Sequence, residues 1–226
     1  MNYLAIDSCS SVLSVAVSRN DDIYYAYNNE CMKHSELAMD LIDSKMKEAA
    51  LKPNELNGVL CMRGPGSFTG LRIGYSIAKA LSLSLSIPFA SVPTLDCIAW
   101  KENNDEKIIL AVIEARKNVY FYAFYRGALR LTPDADADAD QIADKIKQFN
   151  DVITLTGPGA EKLYSSLLQK ERKNINLNNE NTGYAGEIIK IAKKIKILDN
   201  GTADFLYSGP EYIRKTDAEI SLAMRI

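Results

Sequence analysis

The chain has 226 residues, 47% of them hydrophobic and 25% charged, with a formal net charge of −2 at neutral pH. That composition can bury a substantial core, in one large domain or two small ones. It supplies no basic field for gripping a nucleic acid, so any nucleic-acid contact by this chain is expected to be indirect or weak. The N-terminus lacks the basic stretch of a secretory signal, and the longest apolar candidate, Leu71 to Ala90, is interrupted by Arg72 and Lys79. A cytoplasmic chain with no membrane segment is therefore expected. Cys9, Cys31, Cys61 and Cys97 are far apart with no Cys-x-x-Cys pair, so each reads as a small reduced hydrophobe.

In chain order, Leu4–Ile6 and Val12–Ser18 read as strands joined by the turn Asp7-Ser8-Cys9-Ser10-Ser11. Ile23–Tyr27 follows the Asn20-Asp21-Asp22 turn as a third strand. Leu37, Ala38, Leu41, Ile42 and Ala49 recur at helical spacing and predict a helix over Ser35–Ala50. Gly58–Met62 is the next strand. It runs into the most distinctive stretch of the chain, Arg63-Gly64-Pro65-Gly66-Ser67-Phe68-Thr69-Gly70-Leu71-Arg72. Strand, glycine-rich turn and helix is the local reading. A tight connection is the first interpretation and an anion cradle at the helix N-terminus the second; the P-loop pattern does not fit.

The helix Ser67–Leu85 carries apolar residues on more than one side, including Leu71, Ile73, Ile77, Ala78, Leu81, Leu83 and Leu85. Such a helix is covered on two sides. Its second cover is either the chain's own second half or another protein chain.

A second unit starts near Lys101, with strands at Ile108–Ile113 and Val119–Tyr125 that echo the N-terminal hairpin as a weak internal repeat. The acidic tract Asp134-Ala135-Asp136-Ala137-Asp138-Ala139-Asp140 reads as a solvated loop, with Asp140 capping a helix that begins near Gln141. Val152–Leu155, the turn Thr156-Gly157-Pro158-Gly159-Ala160 and the helix Glu161–Gln169 repeat the strand, glycine turn and helix arrangement. A last helix is expected over Thr182–Ile197.

Together, Met1-Asn2-Tyr3-Leu4-Ala5-Ile6-Asp7-Ser8, the Gly64-Pro65-Gly66-Ser67-Phe68-Thr69-Gly70-x-Arg72 run, Ser91-Val92-Pro93-Thr94-Leu95-Asp96 and the late element Pro210-Glu211-Tyr212-Ile213-Arg214 resemble the bacterial TsaB (YeaZ) family. The resemblance implies an α/β fold of the actin/Hsp70/sugar-kinase class (ASKHA), duplicated, with two subdomains each holding a mixed sheet and helices. The expected division is 1–100 and 101–226. It implies a non-catalytic subunit that pairs with a metal-bearing paralogue, TsaD, and recruits the ATPase TsaE, in making threonylcarbamoyladenosine on tRNA. Alone, the chain is expected to form a homodimer.

The partner seam implied by this resemblance comprises His34, Leu37, Ala38, Leu41, Leu71, Gly74, Ile77, Ala78 and Leu81, with charge at Leu71, Ile77 or Leu81 expected to break it. No metal site and no catalytic residue is expected. The single histidine, His34, has Ala38 four residues on. The region where the paralogue holds its histidine pair reads Pro93-Thr94-Leu95-Asp96-Cys97-Ile98 here. His34 itself reads as a solvated or partner-facing residue.

No cofactor of its own is expected, but the resemblance leaves room for weak ATP or ADP binding at the subunit junction. The nucleotide-proximal candidates are Asp7, Ser8, Ser10, Gly157 and Gly159. The competing reading is a small ATP-dependent kinase-like enzyme built on Asp7 and the glycine turns. The plainer account of Asp7 is that it caps a turn through hydrogen bonds to the backbone. Glu114 stands where the family usually has Asp.

Overall fold

The computed structural model describes residues 1–30, 33–102, 106–198 and 208–213. Three strands rich in β-branched and aromatic residues open the chain as an antiparallel meander: β1 (Tyr3–Asp7), β2 (Leu13–Arg19) and β3 (Asp22–Asn28). Helix α1 (His34–Glu48) then carries the chain to β4 (Gly58–Gly64), parallel to β1. Helix α2 (Phe68–Leu85) leads to β5 (Phe89–Pro93), parallel to β4, and α3 (Thr94–Glu102) follows. The sheet order is β3-β2-β1-β4-β5.

The second half repeats this course. A meander of β6 (Ile108–Arg116), β7 (Val119–Arg126) and the short β8 (Leu129–Arg130) is followed by β9 (Ala135–Asp138), which also pairs with β7. Then come α4 (Ala139–Ile146), β10 (Ile153–Thr156), α5 (Ala160–Ser166), β11 (Ile175–Asn178) and α6 (Ala185–Ile195). β10 is parallel to β6 and β11 to β10, giving the order β11-β10-β6-β7-β8. With β9 set aside, both halves read strand, strand, strand, helix, strand, helix, strand, helix. The sheet path is the same in each. This duplicated topology is that of the actin/Hsp70/sugar-kinase class.

Alternation along the strands sends side chains into separate cores. Leu4, Ile6, Val15 and Val17 meet α1 and α2 on the outer face of the first sheet. Tyr3 and Ala5, one register step away, join Ile109, Ala111, Ile98 and Ile188 in a central layer between the sheets. Leu110, Val112 and Phe124 pack outward with Ile142 and Leu163, from α4 and α5. The central layer is filled by α3, from the first half, and α6, from the second. Helix α6 lies against β1 and β2.

Three expectations change. The acidic tract is not a free loop: Ala135–Asp138 pairs with Val119–Tyr122, Ala137 is buried, and Asp134 is bound by Arg130. The residue capping α4 is Asp138, whose side chain accepts from the Gln141 N–H at 2.9 Å, and not Asp140. Helix α3 and strands β8 and β11 had no counterpart in the sequence pattern. Helix α3 is buried between two sheets and shows no polar stripe, as Thr94, Leu95, Cys97, Ile98 and Ala99 are all inside. Of the cysteines, Cys9, Cys61 and Cys97 are free and buried, while Cys31 lies outside the described residues. Among the described residues no helix is long and apolar enough to cross a membrane.

Candidate functional site

The glycine loop is shaped by the turn between β1 and β2. The Ser67 N–H donates to the Cys9 carbonyl at 2.8 Å, and the Ser8 hydroxyl donates to the Gly70 carbonyl at 2.8 Å. Gly70 lies so close to this turn that a Cβ there would fall 1.9 Å from the Ser8 carbonyl oxygen. A side chain would therefore force the loop off the sheet. Ser67 caps α2 by accepting from the Gly70 N–H at 3.2 Å.

The late element Pro210-Glu211-Tyr212 lies on this same loop. The Glu211 N–H donates to the Arg63 carbonyl at 2.9 Å. Gly64, at φ +115°, leaves the room that a Cβ would lose to the Glu211 carbonyl at 2.6 Å. Tyr212 stacks on Phe68 with ring centres 4.3 Å apart and planes 8° apart. The Arg72 Nε donates to the Tyr212 hydroxyl at 3.1 Å. Further along α2, Lys79 Nζ donates to the Ser208 carbonyl. The two motif segments, 140 residues apart in the chain for Arg72 and Tyr212, are thus one structure. Arg214 lies outside the described residues.

Between the halves opens a cleft of about 1130 Å³, walled by Ser10 and Ser11, His34, the loop Gly66–Gly70 and, opposite, Glu114, Arg116 and Lys162. Lys162 pairs with Glu114 on that second wall. His34 is buried, its Nε2 lies 3.3 Å from the Ser11 carbonyl, and it lines the cleft. Asp7 is fully buried. Its carboxylate accepts from the Cys9 N–H at 3.1 Å, the Ser14 hydroxyl at 3.4 Å and the Tyr184 N–H at 2.9 Å. Burial raises its pKa above the usual carboxylate value against those hydrogen bonds.

Of the other nucleotide-proximal candidates, Ser8 is buried on Gly70, and Ser10 lines the cleft while accepting from the Val12 N–H at 3.2 Å. Gly157 and Gly159 press against β6: the Gly159 N–H donates to Val112 at 3.3 Å, and only Pro158 of that turn reaches the cleft wall. Among the described residues no group of three or more His, Cys, Asp or Glu side chains is arranged to hold a metal ion.

Helix α2 has three distinct faces. Leu71, Gly74, Tyr75 and Ala78 are buried against the first sheet, and Gly74 has the Ser8 hydroxyl 2.8 Å from where its Cβ would be. Phe68, Arg72 and Lys79 meet the 208–213 segment. Ile73, Ser76, Ile77 and Leu83 form the third face, with Leu83 65% exposed. The expected seam is corrected accordingly. Ala38, Leu71, Gly74 and Ala78 are inside the chain's own core, and His34 belongs to the cleft. Leu37, Leu41, Ile77 and Leu81 are half-buried. Met39, 50% exposed, adds to the open surface from α1. Between α1 and α2 runs an open groove of about 420 Å³ lined by Met39, Ile73, Ile77, Ser76 and, at its end, Thr69 and Arg72.

The sequence reading also missed the group that ties α3 to the second sheet. Asp96 accepts from the Tyr125 hydroxyl at 2.9 Å and from Arg130 Nε at 3.0 Å, while Arg130 also binds Asp134. Neither half of that cluster is spaced as a motif in the chain.

Residues 30–223 match the family model described as TsaD: tRNA N6-adenosine threonylcarbamoyltransferase. Among curated proteins, the chain is 32% identical to the tRNA threonylcarbamoyladenosine biosynthesis protein TsaB of Bacillus subtilis, over 70% of this chain and 71% of that protein. It is also 32% identical to the TsaB of Buchnera aphidicola subsp. Schizaphis graminum, over 76% and 86%. Among solved structures, YeaZ from Pseudomonas aeruginosa superposes with a TM-score of 0.80 at 19% identity, covering 93% of this chain and 99% of that one.

Proposed function

The chain belongs to the TsaB (YeaZ) family of tRNA threonylcarbamoyladenosine biosynthesis proteins, and from that premise we propose that it is the non-catalytic docking subunit of a threonylcarbamoyl-transfer assembly. Its partner in this reading is the metal-bearing transferase TsaD, with TsaE joining the pair and a homodimer forming when the partner is absent. The observation that carries the proposal is the open apolar face of α1 and α2, where Met39 and Leu83 are exposed and Ile73 and Ile77 are half-buried along an open groove. Contiguous apolar surface of this kind marks a protein-binding site. The contribution to the reaction is a shift in population: a partner that docks here is held in its competent conformation. Leu71 is unsuitable as a test, since a charge there would enter the core.

The test is co-purification with TsaD from the same organism, by size-exclusion chromatography with light scattering and an assay of tRNA modification. Wild type is expected to form a stable complex that supports modification, and Ile77→Glu or Leu83→Glu to lose it while keeping the melting profile of a folded protein. Variants that still bind the partner would overturn the docking surface.

The cleft favours a second reading, a small ATP-dependent kinase-like enzyme, because hydroxyls from the first half and cations from both halves line it. Asp7 weighs against that reading, since both of its oxygens are engaged inside the fold. Titration of the isolated chain with Mg-ATP separates the two. Micromolar binding with turnover favours the enzyme.

A further inference from the structure

Among the described residues, Arg72 is the one cation that borders both the interdomain cleft and the α1/α2 groove. It is held in place from one side only. Its Nε donates to the Tyr212 hydroxyl at 3.1 Å, and its guanidinium carbon lies 5.7 Å from the Phe68 ring centre and 5.9 Å from that of Tyr212. Those two rings are themselves stacked. Among the described residues no carboxylate pairs with Arg72. A pinned guanidinium whose terminal nitrogens have no hydrogen-bond partner among the described residues is prepared for a planar, two-oxygen anion, and holding it in advance removes much of the ordering cost of binding.

The groove that Arg72 terminates is apolar, lined by Met39, Ile73 and Ile77, with the Ser35, Thr69 and Ser76 hydroxyls at its edges. We infer that Arg72, positioned by Phe68 and Tyr212, is the receptor for a carboxylate side chain on the protein that docks in this groove, and that the pair sets the register of the docked helix. The inference rests on the docking reading above. An apolar stripe supplies contact area without fixing where along the groove a helix stops. A single charge pair at one end does fix it, because a shifted helix leaves the cation and its own carboxylate desolvated and apart. Tyr212 is a positioning residue in this scheme. It acts through Arg72, which explains why a segment so far along the chain is folded back onto the first turns of α2.

The experiment measures binding of TsaD from the same organism to the full chain by biolayer interferometry, at low and at high sodium chloride. Wild type is expected to bind with a clear loss of affinity on adding salt. Arg72→Gln should weaken binding roughly tenfold and flatten the salt dependence. Tyr212→Phe keeps the stack and loses the hydrogen bond, so it should weaken binding by about threefold with the salt dependence retained.

Ile77→Glu separates the two readings. If it abolishes binding while Arg72→Gln binds as wild type does at both salt concentrations, the docking face stands and the carboxylate receptor is wrong. If Ile77→Glu binds normally, or wild type does not bind at all, the docking reading fails and the receptor with it. Inorganic phosphate at millimolar concentration is the control for a free anion: competition that vanishes in Arg72→Gln, without any effect of that variant on TsaD affinity in phosphate-free buffer, assigns Arg72 to a small-molecule site and overturns the inference. The decisive supporting result is a charge swap, in which Arg72→Glu loses binding and one Asp or Glu to Lys substitution on the partner restores it.

Discussion

The N–H groups of Tyr184 and Ala185 open α6 without a capping side chain from their own segment. Asp7 and Ser14 supply the acceptors from β1 and β2, at 2.9 and 3.1 Å. Unpaired donors at a buried helix start are costly, so a carboxylate that sequence alone would assign to either phosphate chemistry or a turn here joins residues 177 positions apart. Asp7→Ala is expected to lower stability by about 3 kcal/mol, read from urea melts. The pH dependence has a defined sign. Because burial raises the folded pKa of Asp7, its contribution is fully present below the ordinary carboxylate value and is lost as pH rises through the folded value. Asp7→Asn has no such titration. The stability of wild type minus that of Asp7→Asn should therefore fall as pH rises from the ordinary carboxylate value toward neutrality. A difference that grew over that range would mean the carboxylate is stabilised in its ionised form.

At the scale of elements, the acidic tract is the clearest lesson. Asp and Ala alternating with period two is a strand pattern, and charge density alone suggested a solvated loop. What decided the outcome was the exposed edge of β7, which accepts Ala135–Asp138 in register, with Ala137 turned into the core opposite Tyr120. Ala137→Asp should cost about 3 kcal/mol by burying a charge, whereas Asp136→Asn, on the outer side, should change stability by less than about 0.5 kcal/mol. Equal, small effects in the two melts would return the tract to a loop.

The same reasoning sorts the rest of the chain. The N-terminal meander, the β6–β7 hairpin, α1, α2 and the two glycine turns were legible because period and turn chemistry agreed locally. Helix α3 was not, since a helix between two sheets has no polar face to mark it. The site divided along similar lines. The glycine loop could be read from its residues, but the facing of α2 could not, because its second cover is the 208–213 segment and no local pattern places Tyr212 on Phe68.

The whole molecule is two copies of one topology that share a middle. Helix α3 is contributed by the first half and α6 by the second, and both lie in the layer between the sheets, so neither half closes its core alone. Their contact includes Lys194 of α6 with its ammonium 4.6 Å from the centre of the Trp100 ring on α3. The latch of Asp7 on Tyr184 and the Asp96–Arg130 pair cross the same boundary. Two subdomains joined only by a linker would melt separately. A shared apolar layer couples them, because losing either helix exposes the surface of the other. Trp100 is the only tryptophan in the chain and sits in that layer, so its fluorescence reports the middle, while far-UV circular dichroism reports both sheets and all helices. The two signals are expected to change at one urea concentration with one slope. If Trp100 lost its environment well before the ellipticity fell, the halves would be independent folding units, and the cleft between them a hinge free to open at little cost. Coincident transitions would instead make the cleft a rigid feature. The glycine loop and the docking face on α2 would then keep a fixed relation to the second half when a partner binds.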